Sequence, residues 1–206
     1  DLSIPDVGKK QAKKDRVLKD KEVGGLWAAI SSGDVFLPYY TNLLRIATLF
    51  GCRTQEARLS EWTEWDMDAW VWTVPKAHSK GGEKIVRPVP EAMHSFIKML
   101  HDETKSSGYL LGVVKNSEAV SQWGRSVYKK LGHSEPWTLH DLRRTLATHM
   151  NDMGIAPHVV EQLLGHSMPG VMAIYNRSLY LPEKLDALNK WYDRLELLAG
   201  NHQNVV

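Results

Sequence analysis

Apolar positions along the chain recur mostly at helical spacing, with one interruption. From Asp20, read as an N-cap, the residues Leu26, Trp27 and Ile30 recur three and four apart. They predict a helix stopped at Ser31-Ser32-Gly33. FLPYYTNLLRIATLFG predicts a second helix, with Pro38 near its start and Gly51 after its end. TQEARLSEW gives a short third one. The pattern then changes to β-prone runs. WVWTV (70–74) and IVRPV (85–89) read as strands of a hairpin whose tip is Gly81-Gly82. Pro88 puts the second strand at an edge or ends it there. Helical spacing resumes at Pro90, through Met93, Phe96, Ile97 and Leu100. Ser117 is expected to cap a helix ending at Gly132, and Thr138 with Asp141 forms a capping box for the next. APHVVEQLLGH (156–166) opens with proline in its first turn, and a short helix is expected from Pro169 to Tyr175. Pro182 opens a last helix that puts Leu185, Leu188, Trp191, Tyr192, Leu195 and Leu198 on one face. The expected fold class is α+β, mostly α-helical, with one small antiparallel β-sheet.

Composition leaves this picture intact. The chain has 206 residues, 43% hydrophobic and 24% charged, which suits one compact domain or one domain plus a tail. No run of eighteen apolar residues and no apolar leader-like stretch is seen, so neither a membrane span nor a membrane partner is expected. Cys52 is the single cysteine, which rules out an intrachain disulfide and fits a cytoplasmic protein. The net charge is only +2, but residues 9–21 hold seven lysines and arginines against two aspartates. That run reads as a solvated arm, or as a linker that tracks nucleic acid.

The candidate chemistry lies in scattered polar residues. HDLRRTLATHM (140–150) places two arginines on a half-apolar helix. Arginine is costly to bury unpaired, so at least one of them needs an anion. His140 and Arg143 share a face. Arg53 follows the helix-ending Gly51, Lys80 sits in the hairpin, His166 ends a helix, and Tyr175 follows nine residues later. Singly, each has an ordinary structural explanation. Together, two arginines, a lysine and two histidines make an anion site with proton-transfer capacity, and a tyrosine could serve as nucleophile. The histidines lack the tight spacing of a zinc motif, so no metal is expected. Residues 138–152 and 156–166 have helix-turn-helix spacing, but Val159, Val160, Leu163 and Leu164 make the second helix a core element, not a base reader.

In order, Gly51-Cys52-Arg53-Thr54-Gln55-Glu56, Lys80, His140-Asp141-Leu142-Arg143, Leu163-Leu164-Gly165-His166 and Tyr175 resemble the catalytic domain of the tyrosine recombinases, the phage integrase family. The resemblance spans residues 45–177. It implies a site-specific DNA recombinase of prophage-integrase type. Tyr175 would attack a scissile phosphate to give a 3′-phosphotyrosyl link. Arg53, Arg143 and His166 would stabilise the charge. Lys80, or Lys84 in the same hairpin, would be the general acid. His140 would orient the site or take the tyrosine proton, and Glu56 would support Arg53. Within HDLRR, Arg143 matches the family arginine, which leaves Arg144 as structural or a DNA-backbone contact. The implied partners are double-stranded DNA, a homotetramer assembled on it, and accessory DNA-bending or excision factors. The implied organisation is a linker over 1–16, a catalytic domain over 17–180, and a C-terminal helix and tail over 181–206 that docks on a neighbouring protomer or on its own domain. The resemblance also implies that the chain is part of a longer integrase. A type IB topoisomerase shares the chemistry but not the compact spacing from His166 to Tyr175. A DNA-binding module that has lost catalysis would not need all five elements.

Overall fold

The computed structural model describes residues 16–166 and 178–203. The helix expected from Pro169 to Tyr175, the arm before Arg16 and the last three residues lie outside them. Nine helices are numbered here among the described residues: α1 (Asp20–Ser32), α2 (Pro38–Phe50), α3 (Thr54–Leu59), α4 (His94–Thr104), α5 (Ser117–Gly124), α6 (Val127–Lys130), α7 (Leu139–Asp152), α8 (Pro157–Leu164) and α9 (Leu181–Gln203). Strands β1 (Trp65–Asp66), β2 (Val71–Val74) and β3 (Ile85–Pro88) form one antiparallel sheet in the order β1-β2-β3. The mostly helical α+β architecture is the expected one.

Local chemistry accounts for most of the boundaries. Gly33, Gly51 and Gly165 end α1, α2 and α8 in the left-handed conformation that glycine adopts without strain. Thr138 and Asp141 close the expected capping box. Three expectations need correction. The N-cap of α1 is Lys19, with Glu22 reaching back to it, and Asp20 is the first helical residue. Asn116, not Ser117, caps α5, because its side chain accepts from the backbone of Glu118 and Ala119. The helix from there does not run to Gly132. It breaks after Gly124, where the Ser126 hydroxyl takes the Trp123 carbonyl at 2.7 Å and a Cβ on Gly124 would meet Leu139. The two-residue strand β1 is too short to leave a periodic signal. Trp65 pairs with Trp72 in register and stacks on it at 4.9 Å.

One core runs through the molecule, with Trp27, Trp72, Trp137 and Trp191 fully buried. The last helix, α9, lies mainly along α1 and also touches β3, α8, α2 and α7 of its own chain. Gly24 allows the close approach to α1, since a Cβ there would strike the Leu198 carbonyl. Trp191 donates to the Thr48 carbonyl at 2.9 Å. Arg16 pairs with Glu22 and Glu135. Leu18 is buried, donates to Thr145 and accepts from His149. Strand β3 is a sheet edge, as Pro88 suggests, yet it is buried beneath α8 and α9. The Lys184 ammonium on α9 takes the outward Val86 carbonyl at 2.8 Å and so closes that edge.

Candidate active site

Three helix ends and the hairpin converge on one cavity. The turn after α2 puts Arg53 at the N-cap of α3. The capping box at Thr138 starts α7 so that His140 and Arg143 point the same way, and the β2–β3 hairpin carries Lys80. Arg53, Lys80, His140 and Arg143, together with Cys52, Thr54, Gln55 and Leu139, line a hollow of about 210 Å³. A neighbouring hollow of about 260 Å³ shares Thr54, Leu139 and His140 and adds Ser121, Arg125 and Thr138. Lys84 is exposed in the hairpin and is not among the lining residues.

The two adjacent arginines of HDLRR differ in their partners. Arg144 pairs with Asp141 at 2.7 Å. Arg143 is buried and has no carboxylate partner among the described residues. Its Nη1 donates to the Gly51 carbonyl at 2.7 Å, and its Nη2 to the Leu164 carbonyl at 2.9 Å. The same Nη2 lies 3.0 Å from Nε2 of His166. Burial pulls the Arg143 pKa down to about 10; the Arg53 guanidinium adds to that shift and Glu56 opposes it. A buried guanidinium held by neutral carbonyls keeps its positive charge and lacks an anion, which is the electrostatic condition for binding one. Burial also lowers the His140 pKa, helped by Arg144 and Arg143, so the ring favours the neutral form that can accept a proton.

Behind this surface lies a support of which the sequence singled out only Glu56. Arg87 on β3 is fully buried and pairs with buried Glu56 at 2.7 Å. The other Glu56 oxygen reaches Arg53 at 3.4 Å. Nε of Arg87 donates to the Leu163 carbonyl at 2.8 Å, and its guanidinium lies over Trp72. Adjacent carbonyls at the end of α8 are thus held by Arg87 and Arg143. The signal for Arg87 was a charged residue inside the otherwise apolar strand run IVRPV. Cys52, though in the cavity wall, is no nucleophile, because burial pushes its thiol up to about 12. Tyr175 lies outside the described residues.

The phage integrase family signature matches residues 16–181 of this chain. The chain belongs to the phage integrase family. Among curated relatives, this integrase-family chain is 26% identical to prophage integrase IntZ of Escherichia coli (strain K12) over 164 residues, 77% of this chain and 40% of that protein. It is 32% identical to the tyrosine recombinase XerA of Pyrococcus furiosus over 124 residues, 53% of this chain and 41% of that protein. The chain thus spans about 40% of the length of these relatives. Its fold is that of the integrase from mycobacterium phage Brujita (TM-score 0.65, 16% identity, covering 94% of this chain and 67% of that one). It is also that of the Tn1549 transposon integrase solved in complex with circular intermediate DNA (TM-score 0.59, 18% identity, 86% and 66%).

Proposed function

We propose that this integrase-family chain is the catalytic portion of a site-specific DNA recombinase of prophage type. The observation that carries this reading is the convergence of Arg53, Lys80, His140 and Arg143 on one cavity, with His166 hydrogen-bonded to Arg143. A phosphodiester has two non-bridging oxygens, and Arg53 and Arg143 suit them as donors. The Tyr175 hydroxyl attacks the phosphorus, and its proton passes to His140, whose neutral form burial favours. The bond from phosphorus to the 5′ oxygen breaks, and that oxygen takes a proton from the Lys80 ammonium. A 3′-phosphotyrosyl link and a free 5′-hydroxyl result. A 5′-hydroxyl from the partner strand then reverses the steps, so the phosphodiester bond energy is conserved and no nucleotide cofactor is consumed. Arg53 and Arg143 stabilise the charge that grows on the phosphoryl oxygens, and His166 acts through its hydrogen bond to the Arg143 guanidinium.

The substrate on this reading is double-stranded DNA carrying attachment sites. Four protomers act on two sites, assisted by DNA-bending or excision factors in the cytoplasm. The named prophage integrases among the relatives favour the prophage type. The DNA-bound integrase of like fold favours a duplex substrate.

The test works whether or not the attachment sequence has been identified. The protein is incubated with sheared DNA of its source and resident phages, denatured in detergent and precipitated, and the attached DNA is sequenced. Tyr175→Phe serves as control. The expected result is an enriched sequence whose recovery requires Tyr175, with duplex affinity changed less than about twofold by the substitution, since one hydroxyl among many phosphate contacts adds little. Equal adduct yield from Tyr175→Phe and wild type would rule out Tyr175 as nucleophile.

A further inference from the structure

The end of α8 brings two side chains together through its backbone. Gly165 sits in the left-handed conformation, and its N–H returns to the Gln162 carbonyl at 3.2 Å. The His166 N–H returns to the Glu161 carbonyl at 3.0 Å. This pair of bonds is the Schellman closure, which folds the residue after the glycine back over the residue five before it. Glycine is required twice over at 165: its φ is +68°, and a Cβ would collide with the Ile85 side chain. The closure places the His166 ring beside the Glu161 carboxylate, with Nδ1 2.5 Å from Oε2.

The other face of that ring fixes the proton positions. A guanidinium can only donate, so Nε2 of His166, 3.0 Å from Arg143 Nη2, is the acceptor of that bond. The single ring proton of the neutral imidazole then belongs on Nδ1, where it meets Glu161. We propose that Glu161 is a positioning residue for this site: it holds His166 as the Nδ1–H tautomer, with Nε2 turned to Arg143. Its importance for catalysis rests on the recombinase reading, whereas the tautomer does not. Glu161 acts through His166 as an orienting carboxylate acts through a general-base histidine, by selecting which nitrogen faces the reacting group. Without it the ring can turn over or move its proton to Nε2, and an Nε2–H would oppose the Arg143 N–H. The pair is about half exposed, so its own contribution to stability is small, and replacing Glu161 leaves the fold in place.

Two measurements test this. Long-range ¹H–¹⁵N spectra of the histidine rings report which His166 nitrogen is protonated. Wild type should show a proton on Nδ1, Glu161→Ala should move it wholly or partly to Nε2, and Glu161→Gln, whose amide oxygen still accepts, should restore Nδ1–H. A proton on Nε2 in wild type, or the same spectrum in Glu161→Ala, would overturn the assignment. Single-turnover cleavage is then measured on the duplex recovered by adduct capture. Glu161→Ala should cleave about tenfold slower or worse, with Kd within twofold of wild type. Glu161→Gln should recover to within about threefold. The double variant with His166→Ala should be no slower than His166→Ala alone, because Glu161 acts only through that ring. Additive losses in the double variant would refute the positioning role. If wild type captures no DNA, the recombinase reading fails, and the spectra still decide the tautomer.

Discussion

Arg143 and Arg144 are neighbours in sequence with opposite surroundings. A helix turns about 100° per residue, so one guanidinium points into the molecule and the other lies along its own helix on Asp141. That Arg143 shares a face with His140 was legible from the H-x-x-R spacing. The partners of Arg143 were not, because the Gly51 and Leu164 carbonyls come from helix ends far away in the chain. Arg143→Ala should slow DNA cleavage by about 10²–10³-fold, on the scale of losing one oxyanion donor, about 2.7–4 kcal/mol. It also strands two buried carbonyls, so the rate is to be compared after the folded fraction is matched by circular dichroism. A rate within threefold of wild type would contradict the role given to Arg143. Glu161 was hidden for a related reason: a lone glutamate near a helix end reads as solvated until the αL turn at Gly165 brings it to His166.

At the scale of elements, the contact of α9 with the sheet carries a testable electrostatic consequence. Lys184 is buried, and burial lowers its pKa to about 8, with the Arg87 guanidinium adding to the effect. The folded value lies below the unfolded one of 10.5. Between the two, the unfolded chain binds more protons than the folded chain, so stability rises with pH across that window, by about 3 kcal/mol at most. Against Lys184→Met, wild type should therefore gain roughly 1.5 kcal/mol in urea unfolding between about pH 8 and 9.5. Parallel pH profiles for the two proteins would show that the ammonium is not desolvated in the folded chain. The elements themselves were largely readable. Apolar spacing, Pro38, Pro157 and the glycines after α1, α2 and α8 marked most helices. The two-residue strand β1 and the break after Gly124 escaped notice: β1 is too short to leave a periodic signal, and at the break the Ser126 hydroxyl takes the Trp123 carbonyl while Leu139 packs where a Cβ on Gly124 would stand.

For the whole molecule, a net charge of +2 gives little long-range attraction to DNA. Affinity must come from where the cations sit. Arg53, Lys80 and Arg143 share one cavity and on the recombinase reading meet one scissile phosphate, so log K for a short duplex should fall with log salt at a slope of about −0.9 or steeper, near −0.9 for each phosphate contacted. Fluorescence anisotropy of a labelled duplex between about 50 and 200 mM salt measures it. A flat titration would count against a DNA-binding face. Among the described residues no helix is long and apolar enough to cross a membrane. The last helix, α9, rests along α1 and over β3 of its own chain, so its apolar face has a partner within the molecule.

The sequence by itself determined most of the helices among the described residues, the hairpin, the fold class and the order of the motif residues that mark the family. These follow from local propensities and from residue types at fixed spacing, which are written along the chain. Only the tertiary structure decided which side chains support the site: Glu56 shared between Arg53 and Arg87, adjacent carbonyls of α8 divided between Arg87 and Arg143, and Lys184 closing the sheet edge. Such choices depend on what remains near a buried charge once water has been excluded, and that neighbourhood is assembled from segments that lie far apart in sequence.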